Sequence, residues 1–323
     1  MIRAAVVAAA CALAGAGFAG PSAAAPAPST ARQATTAAAV DAVLAHWTPE
    51  AMRSATPMDE LLGSVDLDRL SHDVALGAPQ AVAASVSPSR SADVGIQAFP
   101  NGGSAWTGSG AVVKTAGRVF FTYQGRNASC SGDAVTSANR STVLTAGHCV
   151  KLDGAFHTNF VFVPAYNNGA APYGTWAARA TSATPQWVAS EDINYDIGAA
   201  VMNQLNGQNL TDVVGGQGVA FNQPKSQNMY AFGWPAATPY DGTKMIYCSG
   251  PTFGAFLSSG IGMTCNMTGG SSGGPWFQQF NETTGTGLQN SVNSYKINFF
   301  PNWMFGPFFG ADAQNLYNAA QAS

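Results

Sequence analysis

The chain has 323 residues, enough for two domains, but only 10% of them are charged, against roughly 25% in an average soluble protein. The formal net charge is -3 and the Lys and Arg residues are scattered, which argues against a nucleic-acid partner. No apolar run beyond residue 20 is long enough to span a bilayer, which argues against a membrane protein.

At the N-terminus, Arg3 is followed by an alanine-rich apolar run and then by the small residues Ser22, Ala23 and Ala24. This is the pattern of a secretory signal peptide spanning 1–24, and it places the mature protein outside the cell. Cys11 leaves with that peptide. The four remaining cysteines, Cys130, Cys149, Cys248 and Cys265, allow three pairings, of which the simplest is sequential: Cys130–Cys149 and Cys248–Cys265. Neither CxxC nor HExxH spacing occurs, so neither a zinc site nor a cofactor is expected.

Residues 25–105 are rich in Ala, Ser and Pro and read as a pro-segment and linker. Helical periodicity covers Ala37 to Trp47, and Thr48-Pro49 and Thr56-Pro57 both have the form of an N-cap followed by proline at the first helical position. Ala81 to Val94 reads as a linker. From about residue 106 short strands alternate with Gly, Pro and Asn turns: 119–123, 141–145, 159–163, 197–202, 228–232, 244–247 and 288–295, before a helical tail at 311–320. The spacing predicts an all-β body built as a sandwich or barrel.

A nucleophilic serine needs a base within hydrogen-bond reach, and the base needs an orienting carboxylate. Of the four histidines, His46 and His72 fall in the pro-segment and His157 reads as a surface position, which leaves His148. Thr145-Ala146-Gly147-His148-Cys149 resembles the histidine motif of trypsin-like (chymotrypsin-fold) serine proteases, and Gly270-Ser271-Ser272-Gly273-Gly274-Pro275 is similar to that family's Gly-Asp-Ser-Gly-Gly-Pro nucleophile motif. The resemblance covers about 107–320 and is nearest the secreted bacterial branch that includes glutamyl-endopeptidase-like enzymes. It implies two six-stranded antiparallel β-barrels with the site between them, in a protease domain at 106–323. Ser272 is then the nucleophile, His148 the base and Asp196, which precedes an apolar strand, the orienting acid. Asp192, Asp212 and Asp241 read as solvated loop residues. The backbone N–H groups of Gly270 and Ser272 would form the oxyanion hole.

A G-x-S-x-G elbow of an α/β-hydrolase also fits residues 270–274, but that fold needs a histidine after the serine and none follows Ser272. Ser271 stands where the family carries an aspartate, which removes the ion-pair partner used in activation by N-terminal insertion. The family alignment places the base of the specificity pocket at Asn266 and the opposite wall at Asn293-Ser294-Tyr295. Beyond residue 200 the basic side chains are Lys225, Lys244 and Lys296, so the pocket is expected to favour a neutral substrate residue, with glutamate the rival if Lys296 or the mature α-amino group reaches it. The expected activity is secreted peptide-bond hydrolysis through an acyl-enzyme, by a monomer acting on protein or peptide substrates. The competing reading is a catalytically inactive binding module on the same fold.

Overall fold

The computed structural model describes residues 26–61, 74–86 and 97–323. The signal-peptide segment, His72 and most of the expected linker lie outside the described residues.

Six strands close the first barrel: β1 (Ala116–Tyr123), β2 (Arg126–Ala134), β3 (Thr142–Thr145), β4 (Thr158–Pro164), β5 (Trp176–Ala183) and β6 (Gly198–Met202). Every neighbouring pair is antiparallel, and the ring runs β1-β2-β3-β6-β5-β4 and back to β1. Its strands are buried along most of their length, so they read as nearly continuous apolar or small-residue runs with little alternation.

The second barrel uses β7 (Asn228–Gly233), β8 (Ile246–Pro251), β9 (Ile261–Thr264), β10 (Pro275–Asn281), β11 (Thr286–Val292) and β12 (Trp303–Gly306). Antiparallel ladders join β7 to β8 and β10, β10 to β11, and β9 to β12. The Cys248–Cys265 disulfide ties the end of β9 to β8, and a bridge between Tyr295 and Phe305 closes β11 onto β12. The other disulfide joins Cys130 and Cys149, so the sequential pairing holds.

Two strands of the N-terminal region extend this second sheet. Gln80–Val82 pairs with Gly218–Phe221, and Asn101–Ala105 pairs with β8. The expected linker therefore begins as a strand.

The N-terminal segment lies on the first barrel. Ser29–Arg32 adds antiparallel to β5 at Ala180–Ala183. The expected helix forms at Ala37–His46, capped by Thr36, and a second forms at Pro49–Ser54 with Thr48 as its cap and Pro49 in its first turn, as expected. Thr56-Pro57 is a correction: it is a short strand parallel to Ala128–Ser129 of β2, and the next helix starts at Met58. The fully buried Met58 belongs to the barrel core and draws these residues into an extended path along the sheet.

Candidate active site

His148 lies in a single 3-10 turn, Gly147–Cys149, directly after β3. The Cys130–Cys149 bridge anchors that turn to β2. Asp196 follows another such turn, Ile193–Tyr195, just before β6, and β6 pairs with β3. Strand pairing thus places the two side chains side by side. His148 Nδ1 lies 2.8 Å from Asp196 Oδ2, and the His148 backbone N–H donates to Asp196 Oδ1 at 2.8 Å. Both residues are almost fully buried. Burial opposes the imidazolium, but the charges of Asp196 and Asp59 and the hydrogen bond to Asp196 outweigh it, so the His148 pKa is raised.

The serine loop sits between β9 and β10, facing this pair. Gly270 has φ +92°, and a Cβ there would lie 2.9 Å from the Trp234 carbonyl oxygen. Gly273 has φ +79°, and a Cβ would lie 2.0 Å from Thr145 Oγ1. Only glycine fits these two bends. Ser131 Oγ donates to the Gly270 carbonyl at 2.9 Å, and the Ser131 N–H donates to the Ser272 carbonyl at 2.7 Å, so β2 holds both peptide planes. The two serines differ in their commitments. Ser271 Oγ donates to the Thr268 carbonyl at 2.8 Å, inside its own turn. Ser272 Oγ donates instead to Asp59 Oδ1 at 2.6 Å, and the Gly270 N–H donates to Asp59 Oδ2 at 2.9 Å. Among the described residues His148 Nε2 has no hydrogen-bond partner.

Several expected placements change. Asn293 does not face a pocket: it is fully buried, with Nδ2 donating to the Phe232 and Ser271 carbonyls and Oδ1 accepting from Trp276 Nε1. Ser294 turns its hydroxyl to Asp196 Oδ2 at 2.5 Å. Tyr295 stacks on Phe305 and bonds Ser258 at 2.7 Å. All three side chains are used within the protein because the second barrel must satisfy its polar groups where β11 meets β12. Asn266 is half-buried, and its Oδ1 accepts from the Tyr240 hydroxyl at 2.6 Å. Lys296 Nζ donates to the Cys265 carbonyl at 3.2 Å, next in sequence to Asn266, and to that of Pro301 at 2.5 Å. Burial lowers its pKa to about 8 despite the charge of Asp59.

His157 is also corrected. It is buried, stacked on Phe121 at 4.5 Å, and lies 2.9 Å from the His148 carbonyl through Nε2. Desolvation lowers its pKa to about 4, so the ring is neutral and Nε2–H donates. Asp192 is likewise buried rather than solvated: it caps the turn before Asp196 by accepting from the Asn194 N–H at 3.0 Å. Sequence reasoning missed Asp59 altogether, and its only local signal is a carboxylate next to the apolar Met58.

Cys130, His148 and Cys149 are grouped closely enough to suggest a metal site. Their donor set does not fit one, because the two sulfurs are bonded to each other and Nδ1 of the histidine faces Asp196.

Two barrels with this loop and this His–Asp pair define the chymotrypsin-fold class. No family model matches the sequence. The crystal structure of the protease Anisep from Arthrobacter nicotinovorans is 48% identical, with a TM-score of 0.63, and covers 68% of this chain and 100% of its own. A thermostable serine protease, AL20, from an extremophilic microorganism is 43% identical with a TM-score of 0.63, covering 66% of this chain and 99% of its own. A Glu endopeptidase with 17% identity and a TM-score of 0.55 shares the fold. An extracellular metalloprotease of Bacillus subtilis is 28% identical over 176 residues, 52% of this chain, and the chain spans 53% of that relative. The chain belongs to the bacterial chymotrypsin-fold serine proteases.

Proposed function

We infer that this protease is a secreted serine endopeptidase whose catalytic residues are Ser272, His148 and Asp196. The observation that carries the reading is the His148–Asp196 pair, joined through both the ring and the backbone at 2.8 Å. Such a pair fixes the tautomer that leaves Nε2 free to accept a proton.

In this reading the Ser272 hydroxyl proton passes to His148 Nε2 as the oxygen attacks the scissile carbonyl carbon. The tetrahedral oxyanion is received by the N–H groups of Gly270 and Ser272. His148 then protonates the departing amine as the C–N bond breaks, which leaves an acyl-enzyme. Water repeats the sequence and frees the acid. Asp196 keeps its charge throughout and holds the imidazolium in place. Loss of one oxyanion donor in such a site costs about 3–4 kcal/mol of transition-state stabilisation.

Secretion is supported by the signal-like N-terminus and by the extracellular relative. Residues 25–105 act as a pro-segment and linker, and 106–323 form the protease body. That the whole Anisep chain is matched by 68% of this one supports the division. Ser272→Ala should abolish peptide hydrolysis while Ser271→Ala retains substantial activity. The reverse result would reject the assignment.

A further inference from the structure

The segment 26–61 makes more contacts with the catalytic body than a tether needs. Its Ser29–Arg32 strand extends β5, and Gln33 Nε2 donates to the carbonyl of His157 at 2.9 Å. Trp47 is buried against Phe120 at 5.5 Å, with Nε1 donating to the Asn159 carbonyl at 2.6 Å. His46 Nε2 lies 2.8 Å from Asn127 Oδ1. Thr56-Pro57 then runs along β2, Met58 enters the core, and the chain delivers Asp59 to the serine loop. The next described residues begin at 74.

What Asp59 does there is specific. One carboxylate oxygen accepts the Ser272 hydroxyl proton, and the other accepts the Gly270 N–H. These are the candidate nucleophile and a candidate oxyanion donor. A carboxylate carries its charge where a tetrahedral intermediate would, so the groups arranged to receive an oxyanion hold it well. It is also a poor electrophile, because resonance with its two negatively charged oxygens leaves its carbon unreactive toward the serine oxygen. Held this way, Ser272 has its proton aimed away from His148 Nε2.

We propose that the cleft is a binding site for the chain's own N-terminal segment, and that Asp59 is the inhibitory residue, occupying the oxyanion position and holding the Ser272 hydroxyl. The proposal rests on Ser272 being the nucleophile. It adds that the uncleaved precursor is silent because of one side chain, held by the Ser272 hydroxyl and the Gly270 N–H.

The test treats the full-length secreted protein with a fluorophosphonate and reads adducts by intact mass, so precursor and processed enzyme are scored separately in one sample. The wild-type precursor should label slowly and the processed enzyme fast. Asp59→Ala and Asp59→Asn precursors should label about 10- to 100-fold faster than the wild-type precursor, the range expected on losing hydrogen bonds to a charged group. Glu60→Gln, at an exposed neighbour, should behave as wild type. Once processed, all variants should label alike, since the residue has left. A wild-type precursor that labels as fast as the processed enzyme overturns the proposal, as do Asp59 variants as slow as wild type. If processed enzyme takes no label while its fold is intact, the reading of Ser272 fails, and the proposal fails with it.

Discussion

Ser294 donates its hydroxyl to Asp196 Oδ2, 2.5 Å away, on the same oxygen that faces His148 Nδ1. The bond runs from the second barrel to the first, so the carboxylate is fixed from both sides of the cleft. Asp196 is fully buried, and each partner that compensates its charge matters.

Ser294→Ala should therefore lower kcat/KM by about 10-fold or more, the effect of losing one hydrogen bond to a charged group. With its charge less compensated, the carboxylate should hold the His148 proton more firmly, so the acid limb of the pH–rate profile should move to higher pH. Ser294→Thr should restore much of both. A variant with a lowered rate but an unmoved pH limb would indicate a merely structural role.

His157 carries a stability signature. Its pKa falls from 6.5 to about 4 on folding because burial disfavours the imidazolium. The unfolded chain thus binds the proton more tightly, and this contribution is present above pH 6.5 and lost as pH falls toward 4. The size is roughly 3 kcal/mol. His157→Phe keeps the stack on Phe121 but should lose that acid-sensitive component. Urea unfolding on a Ser272→Ala background at pH 7 and pH 4 measures it. An equal fall in both proteins would count against this origin. At pH 7 the variant should be about 1 kcal/mol less stable, having lost the bond to the His148 carbonyl.

If Asn266 lies at the base of the specificity pocket, as we propose, substrate preference should follow from how it and Lys296 are engaged. Asn266 is neutral and already bonded to Tyr240, and the nearby Lys296 is held by two backbone carbonyls. A cationic substrate side chain would meet a like charge without a counter-ion, and an acidic one would have to draw Lys296 from its carbonyls. Profiling on a peptide library should show cleavage mainly after neutral residues, with Lys296→Met leaving that order unchanged. Dominant cleavage after Glu, abolished in Lys296→Met, would show that the ammonium serves the pocket.

The two barrels, the disulfides, the His148–Asp196 contact and the tight bend that carries Ser272 were legible because each depends on local pattern: apolar strands, a glycine-rich stretch, and a histidine beside a cysteine. Ser294 and His157 were not. Their partners lie 98 and 9 residues away, and nothing in a neighbouring triplet says which way a hydroxyl or an imidazole will turn. Thr56-Pro57 misled because Thr-Pro opens a helix unless a sheet edge competes for it, and β2 does. Asp59 is the extreme case: its partners are 211 and 213 residues away, and one acid among many carries no signal until the fold brings it to Gly270.

The most direct measurement is to map the site of fluorophosphonate attachment on the processed enzyme by peptide mass spectrometry. The account predicts a single adduct on the peptide containing 268–276, localised to Ser272, formed in wild type and in Ser271→Ala and lost in His148→Ala. An adduct on Ser271, or an unmodified protein that still hydrolyses peptides, would contradict it.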